Sequence, residues 1–156
     1  NHSQPLRYDA DLGVVRPAYS TSIGITILAG LEDDRIDAFF DATDLIAITE
    51  KTITDADQLR AEIETARRDG FVVTSDSNVT GTSGVCAPIR NAAGRVIAGL
   101  AIIAPSARFT RLREQDGQEH TVQAVLDTAA SISRALAGYG RSESISPKEK
   151  ADYNGE

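Results

Sequence analysis

The 156-residue chain has no methionine, no tryptophan, one cysteine and two histidines. Each scarcity removes a class of chemistry. One thiol cannot close an internal disulfide, which suits a reducing cytoplasm. His2, His120 and Cys86 offer no paired ligand spacing, so neither a metal nor a cofactor is expected. The longest apolar run, Val96 to Pro105, falls well short of the roughly 18 residues that would point to a membrane span. No basic stretch followed by an apolar one opens the chain, so a retained secretory signal is not expected either. Positive charge is also short, with 16 Lys and Arg against 23 Asp and Glu, a net of −7. Such a chain is repelled by a phosphate backbone, which argues against autonomous nucleic-acid binding. With methionine absent and a start at Asn1-His2-Ser3-Gln4, we expect a piece processed or cut from something longer.

What remains is 41% hydrophobic and 25% charged, enough for one domain with a core. Residues 1–140 read as that domain, and 141–156, with Ser, Lys, Glu, Pro and Gly, as a solvated tail. Leu6–Ala10 and Leu12–Val15 read as extended or strand segments closed by Arg16-Pro17. A helix follows, capped by Ser20 or Thr21, with Ile23, Ile27 and Leu31 on one apolar stripe and Gly24 marking close approach by another backbone or a ligand. Glu32-Asp33-Asp34 opens a brief second helix carrying Ile36, Phe39 and Phe40. Thr54-Asp55 caps a third, with Leu59, Ile63 and Ala66 as its core stripe and Gly70 as its stop.

Phe71–Val73 reads as a short strand, and Thr74–Ser83, all Ser, Thr, Asp, Asn, Val and Gly, as a loop. Gly84–Arg90 and Arg95–Ile103 form a hairpin around Asn91–Gly94, with an irregular site at Pro88. Both alternating sets of the return strand are apolar or small, so both its faces are expected to be covered. A last helix runs from about Thr110, its start delayed by Gly117, with Val122, Leu126, Ala129 and Leu136 on one face.

Candidate chemistry is sparse. A cysteine-dependent hydrolase or transferase would need the Cys86 thiolate activated by His120, but a free thiol in an apolar strand is usually a small core residue. Gly81–Gly84 lacks the following helix that a phosphate-binding loop requires. Asn78-Val79-Thr80 matches a glycosylation sequon that has no meaning in a cytoplasmic protein. A mixed α/β chain with a polar loop leading into a small-residue strand suits a pocket better than a reaction.

Several segments, in order, resemble the effector-binding domain of IclR-type transcriptional regulators. Pro17–Gly24 followed by Ile27-Leu28-Ala29 is similar to the family's P-x-H-A-T-A-x-G-x-x-x-L-A. Thr52-Ile53-Thr54-Asp55 resembles T-I-T-D, and Arg67–Phe71 resembles R-x-x-G-Y/F. Gly81–Ile89, Gly94–Ala98 and Pro105–Arg108 resemble the hairpin and its ending. The resemblance implies an α+β domain of GAF- or PAS-like type, a curved, largely antiparallel sheet with flanking helices. It implies a small-molecule effector, a homodimer or homotetramer, and DNA contact only through a separate N-terminal winged helix-turn-helix that this chain lacks. By the same resemblance the family's linker helix and first strands are expected to be missing too, which would leave an exposed sheet edge or an interface to be filled by another chain.

The family's pocket positions fall on Tyr8, Ser22, Ile23, Thr74, Gly84, Ala101 and Ile103. Members that bind small keto acids carry an acid, a cysteine and hydroxyls near the last four; here stand one hydroxyl, no side chain and two apolar groups. The expected effector is therefore larger and more apolar, aromatic or ring-bearing, with Tyr8 stacking and Ser22 or Thr74 anchoring a polar end. A GAF-like dimerisation module without ligand is the other reading, favoured if no cavity lies beside Tyr8 and Thr74.

Overall fold

Three helices precede the strands in the computed structural model, which describes residues 13–109 and 117–142. After a 3-10 turn over Ala18–Ser20, α1 covers Ser22–Ala29, α2 Asp33–Asp41 and α3 Ala56–Asp69. The Thr21 side chain accepts a hydrogen bond from the Gly24 N–H, and Asp55 accepts one from the Gln58 N–H. Each occupies a donor that a first helical turn leaves without an internal partner. Asp33 and Asp34 lie in the first turn of α2, where the helix dipole favours negative charge. At the end of α3, Gly70 adopts a φ of +79°, which costs a residue without Cβ nothing. Arg67 does more than complement that helix end. Its guanidinium donates to the carbonyls of Ala29 at 3.1 Å and Leu31 at 2.7 Å, joining α3 to the end of α1 and satisfying carbonyls left open there.

Strands β1 (Val72–Ser75), β2 (Thr82–Arg90) and β3 (Val96–Pro105) form an antiparallel sheet in the order β1-β2-β3. The fold is therefore mixed α+β, as expected. The hairpin turn is held by the Asn91 side-chain oxygen, which accepts from the N–H groups of Ala93 and Arg95. Pro88 is tolerated in the middle strand because β1 pairs only with Ser83–Cys86, so the missing donor falls where no neighbour needs it. One residue beyond Ile89 the register shifts, and the Arg90 N–H donates instead to the Ser133 hydroxyl of the final helix, α4 (Gly117–Ser142).

Alternation of side chains gives the sheet two faces. Val85 and Ala87 point to one, where Phe109 and the α4 residues Val125 and Ala129 complete a core. Val72 points to the other, joining Tyr19, Ile25, Leu28, Leu59 and Ile63. The central strand is thus buried from Thr82 through Ala87.

Four expectations change. The strand covered on both faces is β2, not β3: on β3, the outer strand among the described residues, Ile97 remains 53% and Ile102 43% exposed. In α1, Ile23 and Ile27 are exposed, whereas Gly24, Ile25 and Leu28 are buried. An eight-residue helix that is apolar nearly all round does not announce which side meets the sheet, and packing decides. Residues 13–15 carry no strand and Val15 is 94% exposed; Leu6–Ala10 and Leu12 lie outside the described residues. Helix α4 starts at Gly117 and runs to Ser142, past the boundary expected at residue 140. The rest of the expected tail, 143–156, lies outside the described residues. Gly24 is the close approach that its glycine suggested: a Cβ there would stand 2.1 Å from the Ala18 carbonyl oxygen.

Candidate functional site

Strand register sets Thr74, Gly84 and Ile103 side by side across the three strands. This row, on the face toward α1, lies along a cleft of about 370 Å³. The start of α1 leans over it. A Cβ at Gly84 would lie 3.2 Å from the Ser22 Oγ, so the absent side chain is what leaves space beneath the helix. Ile23 continues the wall, its Cγ2 3.3 Å from where a Gly99 Cβ would stand. Five of the seven expected positions, Ser22, Ile23, Thr74, Gly84 and Ile103, therefore share one cleft. Ala101 lies two cross-strand rows along, opposite Cys86, and is not part of the lining. Tyr8 lies outside the described residues.

The third wall is the loop over residues 76–81, which is fastened from two directions. Asp76 has a φ of +58°, and its carboxylate accepts from the Gly81 N–H and the Ser106 hydroxyl. From the other side, the Thr49 hydroxyl donates to the Asp76 carbonyl at 2.6 Å and the Thr52 hydroxyl to the Ser77 carbonyl at 2.7 Å. The Thr52 oxygen also accepts from the N–H groups of Ile48 and Thr49. Carried on this loop, Asn78 accepts from Arg16 Nη1 at 3.1 Å and donates to the Ser20 Oγ at 3.4 Å.

Arg16, Asn78 and Val79 line the cleft, and reading the sequence did not find them. Arg16 reads as the end of an extended segment and Asn78 as a loop residue 62 positions away, with no local signal that they meet. Thr52 is legible only as a motif member. Ser22 is 5% exposed and belongs to the lining.

The thiol chemistry fails at this site. Cys86 is fully buried, with its Sγ filling the space a Gly99 side chain would take. Burial pushes the thiol above its ordinary value, and the smaller influence of the Thr26 hydroxyl works the other way. A neutral, inaccessible thiol is no nucleophile. His120 is exposed on α4, the helix packed against the opposite face of the sheet. Among the described residues no group of three His, Cys, Asp or Glu could hold a metal ion, and no helix is long and apolar enough to cross a membrane.

Residues 1–134 match the family model described as Bacterial transcriptional regulator IclR C-terminal. The transcriptional regulator KipR of Bacillus subtilis is 33% identical over 88% of this chain and 53% of its own length. The chain thus spans about half the length of the curated relatives it matches. Among solved structures, the IclR protein of Thermotoga maritima superposes with a TM-score of 0.74 at 30% identity, covering 86% of this chain and 53% of that one. An IclR homologue from Microbacterium hydrocarbonoxydans, solved in complex with 4-hydroxybenzoate, gives 0.70 at 24% identity over 88% and 53%. At that identity the likeness speaks for the fold alone.

Proposed function

The chain belongs to the IclR family of bacterial transcriptional regulators, matching its C-terminal domain, and on that premise we propose that it is the ligand-sensing part of such a regulator. The observation that carries this reading is the cleft over the Thr74–Gly84–Ile103 row. Its volume falls within the usual range for small-molecule sites, and its presence beside Thr74 favours a sensor over a dimerisation module without ligand.

The effector is a small molecule with an aromatic or otherwise apolar body. Ile23 and Ile103 supply the greasy walls, Gly84 the space, and Ser22 or Thr74 the hydrogen bond to a polar atom. A small keto acid is too small to cover the apolar side chains of Ile23, Ile27, Val79 and Ile103 in the lining, and so forgoes most of the apolar burial that the cleft offers. A neighbour of the same fold holds 4-hydroxybenzoate, a ligand of the proposed kind.

Binding acts by linkage. The effector favours one arrangement of paired subunits, in a homodimer or homotetramer, and shifts the population by no more than its difference in affinity, for which about 1–3 kcal/mol is sufficient. DNA is reached through an N-terminal winged helix-turn-helix outside this sequence, in the cytoplasm. Thermal-shift measurements test the reading: aromatic acids should raise the melting temperature, and glyoxylate or pyruvate should not. Stabilisation by the two keto acids with no response to aromatic acids overturns it.

A further inference from the structure

The loop that walls the cleft is also fastened toward the far face of the sheet. Asp76 stands at a φ of +58°, a left-handed conformation that a non-glycine residue keeps only where its surroundings hold it. Its N–H donates to the Thr82 carbonyl at 2.7 Å, and its carboxylate accepts from the Gly81 N–H and, at 3.1 Å, from the Ser106 hydroxyl. Ser106 is gripped a second time, its own N–H donating to the Gly81 carbonyl at 2.8 Å. The Ser83 hydroxyl, buried on a strand residue of the cleft lining, donates to the Ser106 oxygen at 2.9 Å. Ser106 in turn opens the helical turn over residues 106–109. One turn on, Phe109 is buried in the core that Val125 and Ala129 of α4 complete. A displacement of Ser106 therefore reaches α4 through one turn of helix and one aromatic ring, in a close-packed interior that passes strain along.

We propose that the clasp of Asp76 and Gly81 on Ser106 carries the state of the cleft to α4. With the loop over 76–81 closed, the clasp holds Ser106 and keeps Phe109 seated against Val125 and Ala129. When the loop opens, the clasp parts and α4 loosens on the sheet. This rests on the cleft being an effector site and adds the route by which its occupancy leaves it. A ligand touching Ser77, Asn78 or Val79, the loop residues of the lining, favours the closed loop and biases α4 by its difference in affinity between the two forms. Asp76 and Ser106 are positioning residues in this scheme, and neither has to touch the ligand.

Hydrogen exchange read by mass spectrometry tests the route without a ligand, so its failure leaves the sensor reading to the thermal-shift measurements. Thr49→Val removes the donor to the Asp76 carbonyl and so loosens the loop without touching Ser106. Exchange is followed in α4 around Val125 and Ala129 and, as a reference for general stability, in α3 around Leu59 and Ile63, which belong to the other core. The expected result is exchange about fivefold faster in α4, the scale of one hydrogen bond lost, with α3 unchanged. In a Ser106→Ala background the clasp is already cut, and Thr49→Val adds nothing further at α4. Ser106→Thr, which keeps the hydroxyl, restores the response. Equal quickening of α3 and α4 marks a general loss of stability and overturns the proposal. So does an unchanged α4, or a Thr49→Val effect of the same size with and without the Ser106 hydroxyl.

Discussion

Cys86 sits where ionisation is expensive, and the consequence is a pH dependence. Its folded value lies above the ordinary 9.0, so below about pH 9 the thiol is neutral in both folded and unfolded chains. As pH rises past that point the unfolded chain loses the proton first, and stability falls until the folded thiol also ionises. Urea titrations from about pH 8 to about pH 10 should show a steeper loss for the wild type than for Cys86→Ala; parallel curves would mean the thiol is accessible to water. Gly24 supplies a second test at this scale. Alanine is the better helix former by about 1 kcal/mol, yet its Cβ would strike the Ala18 backbone. Gly24→Ala should therefore destabilise by about 1–3 kcal/mol, read from the urea midpoint, and a gain in stability would show that the approach is loose. Both residues are legible in part from the sequence. A thiol in an apolar strand reads as core, and a glycine among apolar helical positions reads as a close approach.

Among the elements, α1 shows where sequence reading stops. Its start is written in Thr21, because capping groups act within a few residues, but its end is not, since the stripe through Ile23, Ile27 and Leu31 overruns the last helical residue, Ala29. Nor is its orientation, since Ile23, Ile25, Ile27 and Leu28 are all apolar and only contact with the sheet sorts them. The loop over 76–81 is a similar case. Its Ser, Asp, Asn and Gly content marks it as a loop, but its shape depends on Thr49 and Thr52 reaching across from another segment. Thr52→Val removes the acceptor for two N–H groups and the donor to Ser77, at a cost of about 1–3 kcal/mol. Hydrogen exchange should quicken across 77–81, and stabilisation by aromatic acids should shrink because one wall of the cleft loosens. Unchanged exchange would mean that Asp76 and Ser106 hold the loop unaided. In α4 the apolar period finds Ala129 as core but overreaches at Leu136, which is 42% exposed, since the sheet beneath ends sooner than the stripe.

At the level of the whole molecule, β3 is the outer strand among the described residues, with Ile97 and Ile102 exposed, an edge suited to cover by another chain. Light scattering over a wide dilution series should give a mass of two or four chains, lowered by the double substitution Ile97→Lys and Ile102→Lys. A single-chain mass at every concentration would remove the proposed coupling between subunits. Elements, caps, turns and the family resemblance were determined by the sequence alone, because each depends on residues close together along the chain. That resemblance also supplied seven positions, of which Ser22, Ile23, Thr74, Gly84 and Ile103 line the cleft. Only the tertiary structure decided that Arg16 and Asn78 meet, that Ser22 hangs over Gly84, and that Ile23 faces a hollow instead of the core. Those relations join distant segments, and equally apolar faces can be turned toward or away from one another until packing against the whole sheet selects one arrangement.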